Sequence, residues 1–229
     1  MTTSRDGHPT APKLHILALD GSYRRGGITD QLVDAVLGAA EAAGARTERV
    51  HLIDEEIAFC RNCRACAAES LQSAPVRGTC QLDDAMAPLL ERIDAADALV
   101  LAAPMNFGSV TAVTKRFMER LICYAHWPWG QPAPKLRREL VEGKHRRRRP
   151  AALVTSSAAP SPLGRLLGHT LKELKQTAEV LDTEPVGSLW HGLSAQQPEQ
   201  AIGSSARRRA ARLGLKLAQR AGARARADA

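Results

Sequence analysis

The chain has 229 residues, 44% of them apolar and only 3% aromatic, with a formal net charge of +8. That length holds one α/β domain with a full core built mainly from Ala, Leu and Val, and no apolar run approaches the roughly 18–20 residues of a membrane span. Residues 1–12 are polar, contain proline and lack the apolar stretch of a signal peptide, so a disordered lead-in to a cytoplasmic domain over 13–220 is expected.

Residues 14–19 form a near-continuous apolar run, the pattern of a strand buried on both faces. A Gly/Ser/Arg loop follows, and residues 29–43 place Leu32, Val33, Val36, Leu37 and Ala40 at helical spacing, with Gly44 as the stop. Residues 47–53 predict a short second strand, and 54–81 a long loop rich in cysteine. Asp83 is the expected N-cap of a helix carrying Met86, Leu89, Leu90 and Ile93. Residues 98–103 predict the third strand and 111–123 the next helix, in which Cys123 reads as a core residue. Three prolines and two tryptophans over 124–134 predict a packed surface loop. The fourth strand is expected at 151–156, a helix at 163–181, a weaker fifth strand at 185–190, and a helical period from Pro198 whose basic end, 221–229, frays.

Strands alternating with helices through right-handed crossovers make an α/β three-layer sandwich around a parallel sheet. Five strands match the flavodoxin-like order 2-1-3-4-5, in which ligands bind at the carboxyl ends of strands flanking the switch point. The loops after the first and third strands lie there. In the first, glycines let backbone N–H groups converge, hydroxyls donate, and the following helix offers its positive end, which suits a phosphate. Neither a Gly-Lys-Ser/Thr nor a spaced Gly-x-Gly-x-x-Gly occurs in it, which argues against an NTPase and a dinucleotide dehydrogenase and for a mononucleotide. A tight turn with a hydroxyl cap is the structural alternative.

These two loops carry a resemblance. Gly21-Ser-Tyr-Arg-Arg-Gly-Gly-Ile-Thr29 resembles the Gly-Ser-Pro-Arg-x-x-Gly-Asn-Thr signature of NAD(P)H-dependent FMN reductases of the flavodoxin-like superfamily. Ala103-Pro-Met-Asn-Phe-Gly-Ser-Val110 is similar to their Ser-Pro-Val-Tyr-Phe-Gly-Ser-Val segment, Lys115-Arg-Phe-Met-Glu-Arg120 to the Lys-x-Phe-Ile-Asp-Arg after it, and Gly143-Lys144 to a further point of the pattern. The resemblance implies that Ser22, Arg24, Gly27, Ile28 and Thr29 hold the FMN phosphate. It implies that Pro104, Met105, Asn106, Phe107 and Gly108 line the isoalloxazine, with Ser156 and Ser157 closing its other side. Tyr23 stands in place of Pro, Met105-Asn106 in place of Val-Tyr, and Ile28 in place of an Asn that would donate to the phosphate. NAD(P)H as co-substrate, a small acceptor such as a quinone or flavin, and a homodimer are implied in the same way. No Ser-His-Asp or paired catalytic carboxylate is legible, and flavin chemistry requires none, because the cofactor carries the reaction.

Cys60-x2-Cys63-x2-Cys66, with Cys80 beyond, offers four thiols in one loop, donors for an iron–sulfur cluster or zinc in a reducing compartment. The run resembles the iron–sulfur flavoproteins, a branch of the same superfamily whose cysteine motif binds a [4Fe–4S] cluster, although there the fourth cysteine follows more closely. Gly78-Thr-Cys80-Gln-Leu-Asp-Asp-Ala-Met86 resembles cluster-free relatives, which leaves cluster, zinc and free or redox-paired thiols open. The alternative function is therefore an FMN/iron–sulfur electron-transfer module between protein partners.

Three further features have a bland reading beside a sharper one. His126, Trp127 and Trp129 either overhang the flavin or pack a proline-rich loop, and packing is expected. Asp83-Asp84 reads as capping charge. The basic runs 144–149 and 207–226 read as a solvated loop and helix end. With few aromatics to stack bases and no recognisable binding module, nucleic acid is not an expected partner, and a basic adaptor for acidic partners is the remaining alternative.

Overall fold

The computed structural model describes residues 14–143 and 147–228, so residues 1–12 and Lys144 lie outside the description. The elements run β1 (His15–Asp20), α1 (Ile28–Ala42), β2 (Arg46–His51), α2 (Ala65–Ala68), α3 (Met86–Ala95), β3 (Ala98–Pro104), α4 (Ala112–Arg120), β4 (Ala125–His126), β5 (Lys135–Leu136), α5 (Arg137–Glu142), β6 (Arg149–Ser156), α6 (Ser161–Leu167), α7 (Thr170–Val180), β7 (Thr183–His191) and α8 (Ser204–Asp228). A five-stranded parallel sheet has the order β2-β1-β3-β6-β7. The expected 2-1-3-4-5 layout is amended in one respect: the fourth and fifth strands of the chain form a separate two-stranded antiparallel ribbon, one strand inside the loop expected over 124–134 and the other just after it.

The period of two along each strand divides the core. Ile16, Ala18, Val100 and Val154 face α1 and α8, while Leu17, Leu19, Leu101 and Leu153 face α3, α4 and α7. Both faces are covered, which is why the strands read as continuous apolar runs.

Four expectations are corrected. The helix expected over 163–181 is two helices, because Gly168 is extended where the chain passes close to Met105, and the His169 amide donates to Gly108 O at 2.6 Å. The helix expected to start at Asp83 starts at Met86, whose amide is accepted by Asp84 Oδ1 at 3.0 Å. The basic end does not stop near Ala221, since α8 continues through Asp228 with Ala221 buried against the α1 layer. The run over 144–149 is not solvated throughout. Arg149 is buried and donates to the carbonyls of Ile93, Ala96 and Leu181 at 2.5–2.9 Å, capping α3 and α7.

Candidate functional site

The β1 and β3 ends diverge at the carboxyl edge of the sheet, and the loop over 21–27 fills the gap. The Gly21 amide donates to Ala102 O at 2.8 Å, and Thr111, the N-cap of α4, donates to Gly21 O at 2.7 Å. A Cβ on Gly21 would stand 1.8 Å from Thr114 Oγ1, so this position requires glycine. Ser22 turns the loop back on itself: Oγ accepts from the Arg24 amide at 3.2 Å and donates to Arg24 O at 3.0 Å. Gly27 is the N-cap of α1 with no side chain capping it, so the first N–H groups of the helix point into the loop without an intrahelical partner.

These elements enclose a cavity of about 370 Å³ lined by Ser22, Tyr23, Arg24, Gly27, Ile28, Thr29, Pro104, Asn106, Ser156 and Ser194. Eight of the residues expected at the cofactor site are thus brought to one cavity. Thr29 and Ser156, from α1 and β6, share a hydrogen bond of 2.8 Å.

The other expected residues are placed differently. Met105 packs its sulfur beside Gly168. Asn106 and Ser109 close a turn by two backbone hydrogen bonds, with Phe107 and Gly108 both at positive φ between them. The left-handed backbone of Phe107 costs on the order of 1 kcal/mol or more, and its ring stands fully exposed. It lines a neighbouring groove of about 500 Å³ with Tyr23, Phe59 and Asn106. Ser157 lies buried behind the cavity, accepting from Trp190 Nε1 and donating to Ala159 O, both at 2.9 Å.

Two contributors were not legible as such. Ser194 reaches the cavity because its amide is held by Ser157 O at 2.9 Å, a tie that only the fold creates. Glu173, on α7, accepts from Ser109 Oγ and the Val110 amide at 2.8–3.0 Å and so anchors the second loop. Burial pushes its carboxyl up, but these donors and Lys115 outweigh burial and hold it below the usual range.

The cysteines form a second site. Cys60, Cys63, Cys66 and Cys80 line a cavity of about 200 Å³ with Arg61, Arg64 and Arg120. Arg120 is buried, pairs with Asp84 and donates to Cys80 Sγ at 3.5 Å. Arg137 is fully buried and donates to the carbonyls of Cys66, Glu69, Ala74 and Ala125, so one guanidinium ties the cysteine loop to the ribbon. Gly78 passes so close to Cys66 O that a Cβ would stand 1.9 Å away. Arg64 stacks over Trp127 and Trp129 with its guanidinium carbon 3.5 and 4.4 Å from the ring centres. The tryptophans therefore pack the cysteine loop, and neither they nor His126 line the 370 Å³ cavity.

The spacing of the thiols bears on what they suit. Zn–S bonds of about 2.3 Å bring tetrahedral sulfurs about 3.8 Å apart. Among the described residues, no three of these sulfurs lie within 4.8 Å of one another. As they stand, the four thiols line one cavity without closing on a single point. Burial, then the neighbouring thiols, push Cys66 up to about 11, and burial pushes Cys123 up to about 12.

An open parallel sheet with an uncapped helix N-terminus and a hydroxyl-lined cavity at its switch point defines a mononucleotide-binding α/β domain. Residues 14–191 match the NADPH-dependent FMN reductase family, and the chain belongs to that family of flavin-dependent oxidoreductases. It is similar to an iron–sulfur flavoprotein of Archaeoglobus fulgidus, 33% identical over 108 residues, which are 47% of this chain and 46% of the relative. An iron–sulfur flavoprotein of Methanosarcina thermophila is 30% identical over 109 residues, 48% of this chain and 53% of the relative. The chain spans about half the length of these curated relatives. Among solved structures, an azoreductase from Bacillus anthracis superposes with a TM-score of 0.62 at 15% identity, covering 89% of this chain and 99% of that one. An NAD(P)H:quinone oxidoreductase from Methanothermobacter marburgensis gives a TM-score of 0.57 at 16% identity, over 90% and 98%. At such identities these likenesses show the fold. Among the described residues, no helix is long and apolar enough to cross a membrane.

Proposed function

We propose that this protein is an FMN-containing oxidoreductase that passes electrons from NAD(P)H to a small acceptor such as a quinone or flavin. The observation that carries the reading is the cavity at the switch point, where the open end of α1 and the hydroxyls of Ser22, Thr29 and Ser156 converge. The helix N–H groups, with the one hydroxyl proton that Thr29 and Ser156 do not use on each other, are donors of the kind a phosphate monoester requires. Gly27, Ile28 and Thr29 would offer backbone N–H groups to the phosphate, and Arg24 its charge. Pro104 and Asn106 would flank the ring, while Met105 supports their loop from behind and the turn at Phe107-Gly108 sets its edge. FMN, when bound, supplies two-electron chemistry, and the chain orients it and limits access from water. The groove shared by Tyr23, Asn106 and Phe107 is open enough to admit the nicotinamide and then the acceptor in turn.

A cytoplasmic homodimer completes the reading; exposed Leu163, Leu166 and Leu167 on α6 beside the site support the dimer. The second reading, an electron-transfer module with a [4Fe–4S] cluster held by Cys60, Cys63, Cys66 and Cys80, is favoured by one geometric fact. The groove that borders the first cavity at Tyr23 and Asn106 reaches Phe59, next in the chain to Cys60. The two named iron–sulfur flavoprotein relatives support it as well.

The test is the visible spectrum of protein purified without oxygen, with iron and acid-labile sulfide measured on the same sample. Flavin bands with NAD(P)H turnover and no iron are expected for the reductase. Flavin with near-stoichiometric iron and sulfide would select the second reading. Protein that holds no flavin and takes up none from added FMN would overturn both.

A further inference from the structure

Beneath the loop over 21–27 lies a cluster the flavin reading does not use. Asp20 ends β1, His51 ends β2 directly opposite it in register, and Asp30 sits in the first turn of α1. One ligand atom from each lies within 4.8 Å of the others, and His51 Nδ1 is 3.7 Å from Asp30 Oδ1.

Each carboxylate spends one oxygen on the loop: Asp20 Oδ1 accepts from the Ser22 amide at 2.9 Å and Asp30 Oδ2 from the Gly26 amide at 2.7 Å. The remaining atoms, Asp20 Oδ2, Asp30 Oδ1 and His51 Nδ1, are buried and have no hydrogen-bond partner. Asp20 is fully buried. Three buried polar atoms without a hydrogen-bond partner converge in the interior, a costly arrangement unless a cation, or a proton shared between Asp20 and Asp30, joins them. Arg49 does not resolve it. Its Nη1 stands 3.6 Å from Asp30 Oδ1, and it hydrogen-bonds Asp34 and the Asp30 carbonyl instead. Cation bonds of about 2.0–2.1 Å to nitrogen and oxygen place tetrahedral ligands about 3.4 Å apart, close to the spacing found here and unlike that of the cysteines.

We propose that Asp20, Asp30 and His51 form a site for a divalent transition cation of the Mn²⁺, Fe²⁺ or Zn²⁺ class, seated under the loop over 21–27. Two carboxylates and one imidazole are the donor set such ions take. The ion neutralises negative charge directly behind the uncapped end of α1 and braces both amides that Asp20 and Asp30 hold. Where that loop carries the FMN phosphate, which rests on the reading above, cation and flavin strengthen each other's binding by the same factor.

The probe is Mn²⁺, which thiolates hold poorly, so the cysteine cavity does not compete. The full chain, stripped of metal and flavin, is titrated while the electron paramagnetic resonance signal of free Mn²⁺ is followed. One Mn²⁺ per chain is expected, with binding weakened at least tenfold in His51→Ala and in Asp20→Asn and unchanged in Cys60→Ser. Circular dichroism and thermal melting establish that each variant is folded. No loss of the free signal with the wild-type chain overturns the site, as does a folded His51→Ala that binds like wild type. A cluster that merely shares a proton gives that first result, together with an Asp20→Asn that melts higher. FMN titration with and without Mn²⁺ tests the coupling: Mn²⁺ tightens FMN in wild type and not in His51→Ala. A wild-type chain that binds Mn²⁺ but no FMN refutes the flavin reading and leaves the cation site standing.

Discussion

The two cavities of this domain are built on opposite plans. The one at the switch point is made by the sheet: Gly21 hangs from Ala102, Met105 from Ser156 O, and one loop over 21–27 joins the end of β1 to the start of α1. Its shape follows from strand register, and its polar contacts are short side chains meeting at the strand ends, Ser22 with Arg24 and Thr29 with Ser156. The cysteine cavity lies off the sheet and owes its shape to arginines: buried Arg137 on a set of loop carbonyls, buried Arg120 on Asp84 and Cys80, and half-buried Arg64 between two tryptophans. One site is inherited from the topology; the other is held by cations at the ends of long side chains. The first should therefore survive damage that destroys the second.

The largest effect is expected from Arg137→Ala. It leaves several buried carbonyls without a donor and should cost on the order of 3–5 kcal/mol, read by urea denaturation. Limited proteolysis should then cut within residues 60–80, while FMN affinity measured by fluorescence quenching changes little. An equal loss of FMN affinity would break the contrast.

Asp84→Asn should cost about 2 kcal/mol at neutral pH, because Arg120 loses its buried counter-charge. Its pH dependence has a definite sign. Burial raises the Asp84 carboxyl, but Arg120 and the amides of Ala58 and Met86 outweigh burial and leave it below its ordinary value. The stabilisation is present above the unfolded value of about 3.9 and is lost as pH falls through the lower folded value. The gap in melting temperature between wild type and Asp84→Asn should be full near pH 7 and close below about pH 4. A gap that stays constant on acidification would show that the ion pair is not its source.

The smallest effect sharpens the other side. Ser22→Ala removes one hydroxyl from the loop and should weaken FMN binding by about 1–2 kcal/mol, a factor of roughly 5–30, with little change in denaturation. Thiol reactivity of Cys60 and Cys63 should be unaltered, since no contact from Ser22 reaches the cysteine loop.

By itself the sequence determined the parallel α/β architecture and the place of the cofactor loops. Continuous apolar strands require cover on both faces, amphipathic helices supply it, and glycine with hydroxyls between strand and helix signals an anion loop whatever lies elsewhere. It also contained the thiol spacing. Tertiary structure alone decided what was joined across the chain. Asp20 and His51 meet because β1 and β2 pair in one register, and Ser194 reaches the cavity on the end of β7. Arg149, read as part of a solvated basic run, becomes the buried cap of two helices. Local patterns record what each segment buries, whereas long polar side chains find partners far off in sequence, and only the packed fold says which ones they reach.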